Sequence, residues 1–357
     1  MNNDENYNLL VSVIIPYYNA SETIKRCINS VIDQTYNNLE ILVINDGSKD
    51  KIGSSIKDLF INEKRIRYIK HSKNKGVSAA RNTGINSASG PLIYFVDADD
   101  WLAIDAISKL VKPFLEKKVQ LSTAPHYQYI NHKKVLKKEY HINQNKLLLK
   151  KDTYLYVLDY LKIPYKYIMF VHCWNKIYLK DILIKNQIYF DTNLSQLEDT
   201  NFNFKYLKVI DKIYYVHSFT YFHYIEKKST SASSLSGSEE NALEKCVLAF
   251  DPIFSFLKYF KIDRSKQTSL RGHHFITISI IFLIRMTRIL IKQPNFKKIN
   301  NIKNWINSKH FQENKNFYKV QKNESYLISF FIKRDSSVAL VLSFVARVFF
   351  IKLKSIF

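Results

Sequence analysis

The chain has 357 residues, of which 46% are hydrophobic and 14% aromatic, and its formal net charge is +23. This length suits one α/β domain with an appended region, or two modest domains, with enough apolar material for a sizeable core. Residues 1–101 carry 12 Lys or Arg and 12 Asp or Glu, whereas residues 281–357 carry 15 and 3. The neutral first third disfavours a nucleic-acid-binding protein, which needs a basic face on its folded domain, and the basic end predicts a polyanionic partner there.

The first third of the chain alternates strand and helix patterns. Near-continuous apolar runs predict buried strands at 9–15, 39–44, 66–70 and 92–96. Apolar residues at helical spacing predict helices at 24–32, 52–60 and 76–88, the first capped by Ser21 and preceded by a strand that ends at Pro16. This order predicts a mostly parallel sheet that is covered on both faces.

Polar side chains follow three of these strands at the point where each strand ends. The stretches PYYN (16–19), NDGS (45–48) and DADD (97–100) come directly after apolar runs. Because ligands in such sheets bind outside the carboxyl ends of the strands, we expect the three stretches to share one crevice.

The rest of the chain is less regular. Residues 120–225 are rich in Tyr, Lys and Ile, and the Ser-rich stretch at 227–240 has the composition of a loop or linker. Beyond it the pattern is helical, including an apolar stretch at 275–291 that carries two arginines. We therefore predict a first domain at 1–226, with a donor half at 1–102 and an acceptor half at 103–226, and a helical region at 241–357.

The last segment, 336–357, is the most lipophilic part of the chain. Drawn as a helix, it places Ser336, Ser343, Arg347 and Lys354 on one narrow stripe. Its apolar runs, interrupted by basic residues, are shorter than the ~20 apolar residues of a membrane span. Two interpretations stay open: a basic amphipathic helix that lies in the membrane interface, and an ordinary buried terminal helix.

The cysteines and the N-terminus indicate the compartment. Cys27, Cys173 and Cys246 form no C-x-x-C pair and no metal-binding spacing, and the N-terminal MNNDENYN is polar and acidic. We expect reduced thiols, no disulfide framework and no signal peptide, as in a cytoplasmic protein.

Three carboxylates at the end of one buried strand require an explanation. Burying an aspartate without compensation costs several kcal/mol, so Asp97, Asp99 and Asp100 need a cation or exposure to water. Divalent Mg²⁺ and Mn²⁺ use few carboxylates together with substrate phosphate oxygens. The alternative is that one of the three, with Asp100 the best placed, caps a helix that begins near Ala103.

Other nucleotide-binding classes lack their required motifs. A nicotinamide-dependent enzyme needs a glycine-rich turn after the first strand, but no G-x-G occurs in the chain. A P-loop NTPase needs G-x-x-x-x-G-K-[ST], which is also missing from the sequence.

Taken together, the segment from VSVIIPYYNASETIKRC to VINDGSKD, and then NKGVSAARNTGINSASGPLIYFVDADDWL, resembles the N-terminal half of family 2 glycosyltransferases. The resemblance is dense over residues 10–102 and continues more thinly through WNKIY and LED to about residue 225. It implies the GT-A fold and a nucleotide-diphosphate sugar as donor.

The resemblance assigns donor-side roles to residues of the first half. Four residues would line the base pocket, with an aromatic ring stacked on uracil, and these are Pro16, Tyr17, Tyr18 and Asn19. Asp46 would accept a hydrogen bond from the uracil N–H, although it is also a common turn residue before Gly47. Arg81 would reach the diphosphate or the sugar. The D-x-D stretch Asp97-Ala98-Asp99 would hold the ribose and a divalent metal, which neutralises charge on the departing nucleotide diphosphate.

The resemblance assigns the acceptor side to the second half. Asp199 would be the general base that takes the proton of the acceptor hydroxyl, with Glu198 orienting the acceptor; the alternative is that both acids only stabilise a helix N-terminus. Trp174 and Lys176 match a W-x-K pattern on the acceptor side, where Trp174 would stack on a sugar face or lie in the core. His223 is a weaker candidate for a metal ligand.

The sequence thus predicts an inverting glycosyltransferase, of hexosyl or N-acetylhexosaminyl type, that uses Mn²⁺ or Mg²⁺. Its donor would be a nucleotide sugar, and we expect a UDP-sugar. Its other partners would be a glycan or lipid-linked acceptor and an anionic membrane surface at the inner face of the cell membrane. The expected role is the synthesis of a surface polysaccharide, capsule or lipopolysaccharide. The alternative is a catalytically degenerate, membrane-associated scaffold, which the intact acids argue against.

Overall fold

The computed structural model describes residues 9–50, 56, 60–130, 133–136, 142–225, 247–292, 296–320, 326–333 and 343. Most of the predicted helix at 52–60, the Ser-rich stretch at 227–240 and all but one residue of the segment 336–357 lie outside these residues, as does Cys246.

The described residues form two compact units. The first contains the described parts of Met1–Thr153 and Ile168–Ser229, and the second those of Tyr154–Tyr167 and Thr230–Phe357. The sequence prediction placed residues 154–167 in the domain at 1–226, whereas in the structure they group with the C-terminal helices.

The first unit is built around two sheets. Its strands are β1 (Val11–Tyr17), β2 (Leu39–Asn45), β3 (Ile66–Lys70), β4 (Leu92–Phe95), β5 (Trp101–Leu102), β6 (Leu121–Thr123), β7 (His126–Ile130), β8 (Lys133–Leu136), β9 (Lys146–Leu149), β10 (Lys176–Leu179), β11 (Lys212–Tyr215) and β12 (Tyr221–Ile225). Its helices are α1 (Ile24–Ile32), α2 (Val77–Ser87), α3 (Ala106–Glu116), the start of α4 (Lys150–Lys162), α5 (Lys180–Lys185) and α6 (Glu198–Val209).

The larger sheet has eight strands in the order β3-β2-β1-β4-β10-β6-β11-β9. The pairs β3–β2, β2–β1 and β1–β4 are parallel, whereas β10 is antiparallel to both of its neighbours. The parallel region is the part predicted from the sequence, and it brings the carboxyl ends of β1, β2 and β4 to one edge. The smaller sheet has the order β5-β12-β7-β8.

The core explains the apolar character of the central strands. All seven residues of β1 and all seven of β2 are buried, because helices cover both faces of a parallel sheet. Helix α2 lies very close to β1, since a Cβ on Gly84 would clash with the side chain of Ile14. This close approach lets Arg81, on the same helix, reach the end of the neighbouring strand β4.

Two local predictions were wrong. Strand β1 does not end at Pro16 but continues to Tyr17, and Pro16 lies opposite Ile44 in the parallel register. Proline is tolerated there because the pairing of β1 with β4 ends at Ile14, so the missing N–H of Pro16 removes no hydrogen bond from that ladder. Helix α1 begins after Thr23, whose hydroxyl donates to the carbonyl of Ala20, and not after Ser21.

The second unit is helical where it is described. It contains the rest of α4, α7 (Asp251–Lys258), α8 (Arg264–Lys292), α9 (Phe296–Ile306), α10 (Lys309–Asn314), a 3₁₀ turn (Lys315–Phe317) and α11 (Tyr326–Lys333). The apolar stretch at 275–291 lies in α8, as its pattern predicted. Among the described residues, no helix combines the length and the apolar character needed to cross a membrane.

Candidate active site

The loop after β1 presents one tyrosine and uses the other internally. Tyr17 is buried, and its hydroxyl donates to Asp50 at 2.5 Å from both carboxylate oxygens. Tyr18 is 46% exposed, and Asn19 joins this loop to the loop after β2 through the hydroxyl of Ser48. Of the two predicted stacking rings, Tyr18 is therefore the one that a ligand can reach.

Asp46, after β2, is buried and organises the loop that leads into α2. Its Oδ1 accepts the backbone N–H of Lys75 at 2.9 Å and lies 2.7 Å from Nδ1 of His71. Its Oδ2 accepts the N–H of Gly76 at 2.7 Å. Gly76 has a φ of 90°, which favours glycine, and it directly precedes the first residue of α2. Asp46 therefore fixes the entry to α2, a role that its sequence context did not reveal.

The carboxylates that follow β4 have different environments. The Asp97 side chain is 29% exposed, Ala98 is buried, and Asp99 is exposed. Although Asp99 is exposed as a whole residue, partial desolvation of its carboxylate by the surrounding protein and the like charge of Asp97 raise its pKa to about 6. A bound cation would relieve both effects.

Asp100 does not cap a helix, contrary to the alternative considered from the sequence. It is fully buried; its Oδ2 accepts the hydroxyl of Tyr221 at 2.6 Å, and its Oδ1 accepts the N–H of Tyr224 at 2.8 Å. The Tyr221 oxygen also accepts the N–H of Asp97 at 3.2 Å. Asp100 thus fastens the Asp97–Asp100 loop to β12, and α3 begins later, after Asp105.

Arg81 joins the two halves of the first unit. Its side chain is 4% exposed; one terminal nitrogen donates to Asp97 Oδ1 at 2.8 Å and the other to Asp199 Oδ1 at 2.7 Å. The second nitrogen also lies 3.7 Å from Glu198 Oε1. The guanidinium rests 5.2 Å from the ring centre of Phe190. Burial of this cation is compensated by three carboxylates.

The acidic pair opens helix α6, whose first residue is Glu198. Leu197, just before it, has a left-handed φ of 61°, which costs on the order of 1 kcal/mol for a residue with a Cβ. Asp199 Oδ2 accepts the N–H of Cys173 at 3.0 Å, so both of its oxygens have a fixed partner. Burial, together with the charge of Asp199, raises the pKa of Glu198 to about 7.

Trp174 cannot stack on a sugar, because both faces of its indole are covered. Tyr221 lies parallel at 4.6 Å on one side, and His172 at 4.6 Å and 13° on the other. Lys176 is also buried, and its Nζ lies 3.4 Å from the carbonyl of Trp174. Burial lowers the pKa of Lys176 to about 8. Both side chains therefore lie beneath the site instead of lining an acceptor surface.

His223 packs into the same aromatic group, with its ring centre 5.2 Å from that of Trp174. Across the described residues, no three His, Cys, Asp or Glu side chains are grouped so that they would hold a metal ion by themselves. The donor set at the β4 end nevertheless fits Mg²⁺ or Mn²⁺, because Asp97 and Asp99 supply accessible carboxylate oxygens and such ions take further ligands from phosphates.

Three functional contacts were not visible in the sequence. His71 bonds to Asp46 and also lies 2.9 Å from the Thr83 hydroxyl, Tyr221 holds the Asp97–Asp100 loop, and the Cys173 amide holds Asp199. The only sequence signal for His71 is its position directly after β3, at the same sheet edge as the other site residues.

The fold and the site define an α/β enzyme of the GT-A class, in which carboxylates gather at the carboxyl edge of a parallel sheet. Residues 12–186 match the family model described as "Glycosyl transferase family 2". This part of the chain belongs to that family.

Curated relatives agree with this assignment. The chain is 32% identical over 224 residues to "Glycosyltransferase GlyA" of Streptococcus pneumoniae, a match that covers 62% of the chain and 31% of GlyA. It is 28% identical over 204 residues to "Uncharacterized glycosyltransferase EpsJ" of Bacillus subtilis, covering 57% of the chain and 58% of EpsJ. The chain thus spans less than two thirds of the length of these relatives.

Solved structures share the fold. The crystal structure of S. aureus TarS 1-349 superimposes with a TM-score of 0.63 at 17% identity, over 93% of this chain and 89% of TarS 1-349. The same protein in complex with UDP gives a TM-score of 0.64 at 16% identity, over 93% and 89% of the two chains.

Proposed function

We propose that this protein transfers a sugar from a UDP-sugar to a hydroxyl of a glycan or lipid-linked acceptor, with inversion at the anomeric carbon, during the assembly of a surface polysaccharide. The observation that carries the proposal is the convergence of Asp97, Glu198 and Asp199 on one buried arginine at the carboxyl edge of the sheet. UDP is the proposed nucleotide because the TarS fold, which this chain shares, has been solved with UDP and with UDP-GlcNAc.

The donor half supplies recognition of the nucleotide. The exposed ring of Tyr18 offers a stacking surface for the base. Asp46 shapes the neighbouring loop and has carboxylate lone pairs that can accept the uracil N–H as a further donor. Asp97 and Asp99 would hold a divalent cation, which stabilises negative charge on the leaving nucleotide diphosphate when it is bound.

The acceptor half supplies the base. Asp199 takes the proton of the acceptor hydroxyl as its oxygen attacks the anomeric carbon, and the bond to the diphosphate breaks on the opposite face of the sugar. Glu198 lies beside it and orients the acceptor. Both acids lie in the first turn of α6, so the backbone of this turn sets their positions at the edge of the site.

The first test is nucleotide release from a panel of UDP-, GDP- and dTDP-sugars, with Mn²⁺ or Mg²⁺ and with EDTA. We expect slow hydrolysis of one UDP-sugar, and EDTA should abolish it. In the Asp99→Asn variant, the rate of hydrolysis should no longer respond to the metal. The absence of both turnover and metal-dependent UDP binding would contradict the proposal and favour the scaffold alternative.

The base is tested with Asp199→Asn. This variant should lose transfer by about 10²–10⁴-fold, the usual contribution of a general base, while it retains UDP binding. Weakened UDP binding in parallel with the loss of transfer would remove Asp199 from the role of base.

We also propose peripheral association with the inner face of the cell membrane through the segment 336–357. The support is the sequence alone, which combines an apolar helix pattern with a local excess of basic residues. Removal of residues 336–357 should release the protein from vesicles that contain anionic lipid. Sedimentation of the truncated protein with those vesicles would show that this segment is not the anchor.

A further inference from the structure

We infer that Arg81 is a positioning residue for the proposed base: it holds the carboxylate of Asp199 in place from the donor half of the domain. This inference rests on the proposed function, and it differs from the role that the sequence suggested, in which Arg81 contacts the diphosphate or the sugar.

The geometry places the guanidinium between two carboxylates that come from distant parts of the chain. Asp97 is 16 residues from Arg81 in sequence and Asp199 is 118 residues away, yet each accepts a hydrogen bond from a different terminal nitrogen, at 2.8 and 2.7 Å. A planar guanidinium can span two partners in this way, whereas an ammonium is a point charge.

Burial makes this pairing strong. The Arg81 side chain is 4% exposed and that of Asp199 is 14% exposed, so water screens the interaction little. The second oxygen of Asp199 is held by the Cys173 amide at 3.0 Å. The two contacts fix the carboxylate plane before any acceptor arrives, which is the orientation that an efficient base requires.

Five charged or titratable groups face Asp199. Two are cations and three are acidic, and these are Arg81, Lys176, Asp97, Glu198 and Cys173. Arg81 is the only one of the described cations in hydrogen-bond contact with the carboxylate. Loss of the guanidinium should therefore leave one oxygen of Asp199 without the contact that fixes its orientation.

The test compares Arg81→Lys and Arg81→Gln with the wild-type protein in kinetic assays. Lysine keeps the charge but cannot span both carboxylates, and glutamine keeps N–H donors without the charge. We expect kcat to fall by about 10²-fold in both, the usual effect of a misplaced group, with the donor KM near that of the wild type. A reduced kcat with an unchanged donor KM separates a positioning role from a donor-binding role.

Arg67→Lys is the matched control. Arg67 is an exposed arginine that pairs with Glu40, away from this site, so the same substitution there should leave kcat and the donor KM unchanged. A higher donor KM with an unchanged kcat in the Arg81 variants would assign Arg81 to the donor and overturn the inference.

A second measurement needs no turnover. Chemical unfolding of Arg81→Lys, Asp199→Asn and the double variant forms a double-mutant cycle. We expect the double variant to be more stable than the sum of the single effects predicts, because each substitution removes the same contact. If the two changes in the free energy of unfolding simply add, the inference is overturned, even if the donor panel identifies a substrate. If they do not add but no turnover is found, the contact is upheld and the result counts only against the proposed function.

Discussion

Tyr221→Phe removes one hydroxyl from the centre of the site and leaves the packing in place. The ring is buried and lies parallel to Trp174 at 4.6 Å, and phenylalanine keeps this stack. The hydroxyl donates to Asp100 at 2.6 Å and accepts the Asp97 N–H at 3.2 Å. A hydrogen bond to a charged group contributes about 1.5–3 kcal/mol, and an orphaned buried amide costs about 1–3 kcal/mol. We therefore expect a loss of about 3–5 kcal/mol in the free energy of unfolding.

The assay is urea unfolding followed by circular dichroism, with thermal unfolding in parallel. A loss of this size lowers the thermal midpoint by on the order of 10 °C in a domain of this length. Tyr18→Phe is the control, because its 46% exposed side chain should change stability by less than about 0.5 kcal/mol. A Tyr221→Phe variant within about 1 kcal/mol of the wild type would refute the argument that this hydroxyl holds the Asp97–Asp100 loop.

Two further predictions concern pH. The pKa of Glu198 is raised from 4.5 to about 7, so the folded state retains this proton and loses stability as pH rises from about 4.5 to 7. In urea unfolding measured between pH 4.5 and 8, Glu198→Gln should reduce this loss of stability with rising pH, by a few kcal/mol at most. An unchanged dependence of stability on pH would argue against a buried acid at this position. Burial lowers the pKa of His274 from 6.5 to about 3. The contribution of the neutral imidazole to stability is therefore fully present above pH 6.5, and the protein loses stability as the pH decreases from 6.5 towards 3. His274→Phe, which keeps an aromatic ring between Tyr160 and Phe250, should reduce the loss at pH 5 in the same measurement, and equal losses would contradict the prediction.

The strands of the donor half were predictable because their burial leaves a direct trace in the sequence. β1, β2 and β4 are near-continuous apolar runs, and polar residues begin where the runs end. Parallel pairing then brings these ends to one edge, so the position of Asp46 and Asp97 at the same edge of the sheet followed from the pattern alone.

The contacts within the site were not predictable, because they join residues without a fixed spacing. Asp199 meets Arg81 across 118 residues, and no periodicity connects a helix residue with a carboxylate so far along the chain. The enclosure of Trp174 is of the same kind. Its two covering rings come from β12 and from the segment before β10, so the sequence allowed both a core position and an exposed stacking surface.

The sharing of one guanidinium by two halves of the domain also constrains how the protein can diverge. A change at Asp97 alone leaves one terminal nitrogen of the buried Arg81 without its hydrogen-bond partner, and a change at Arg81 alone leaves Asp97 and Asp199 without the cation between them. Neither step is neutral by itself. We therefore expect substitutions at one of these three positions to be accepted only together with substitutions at the others.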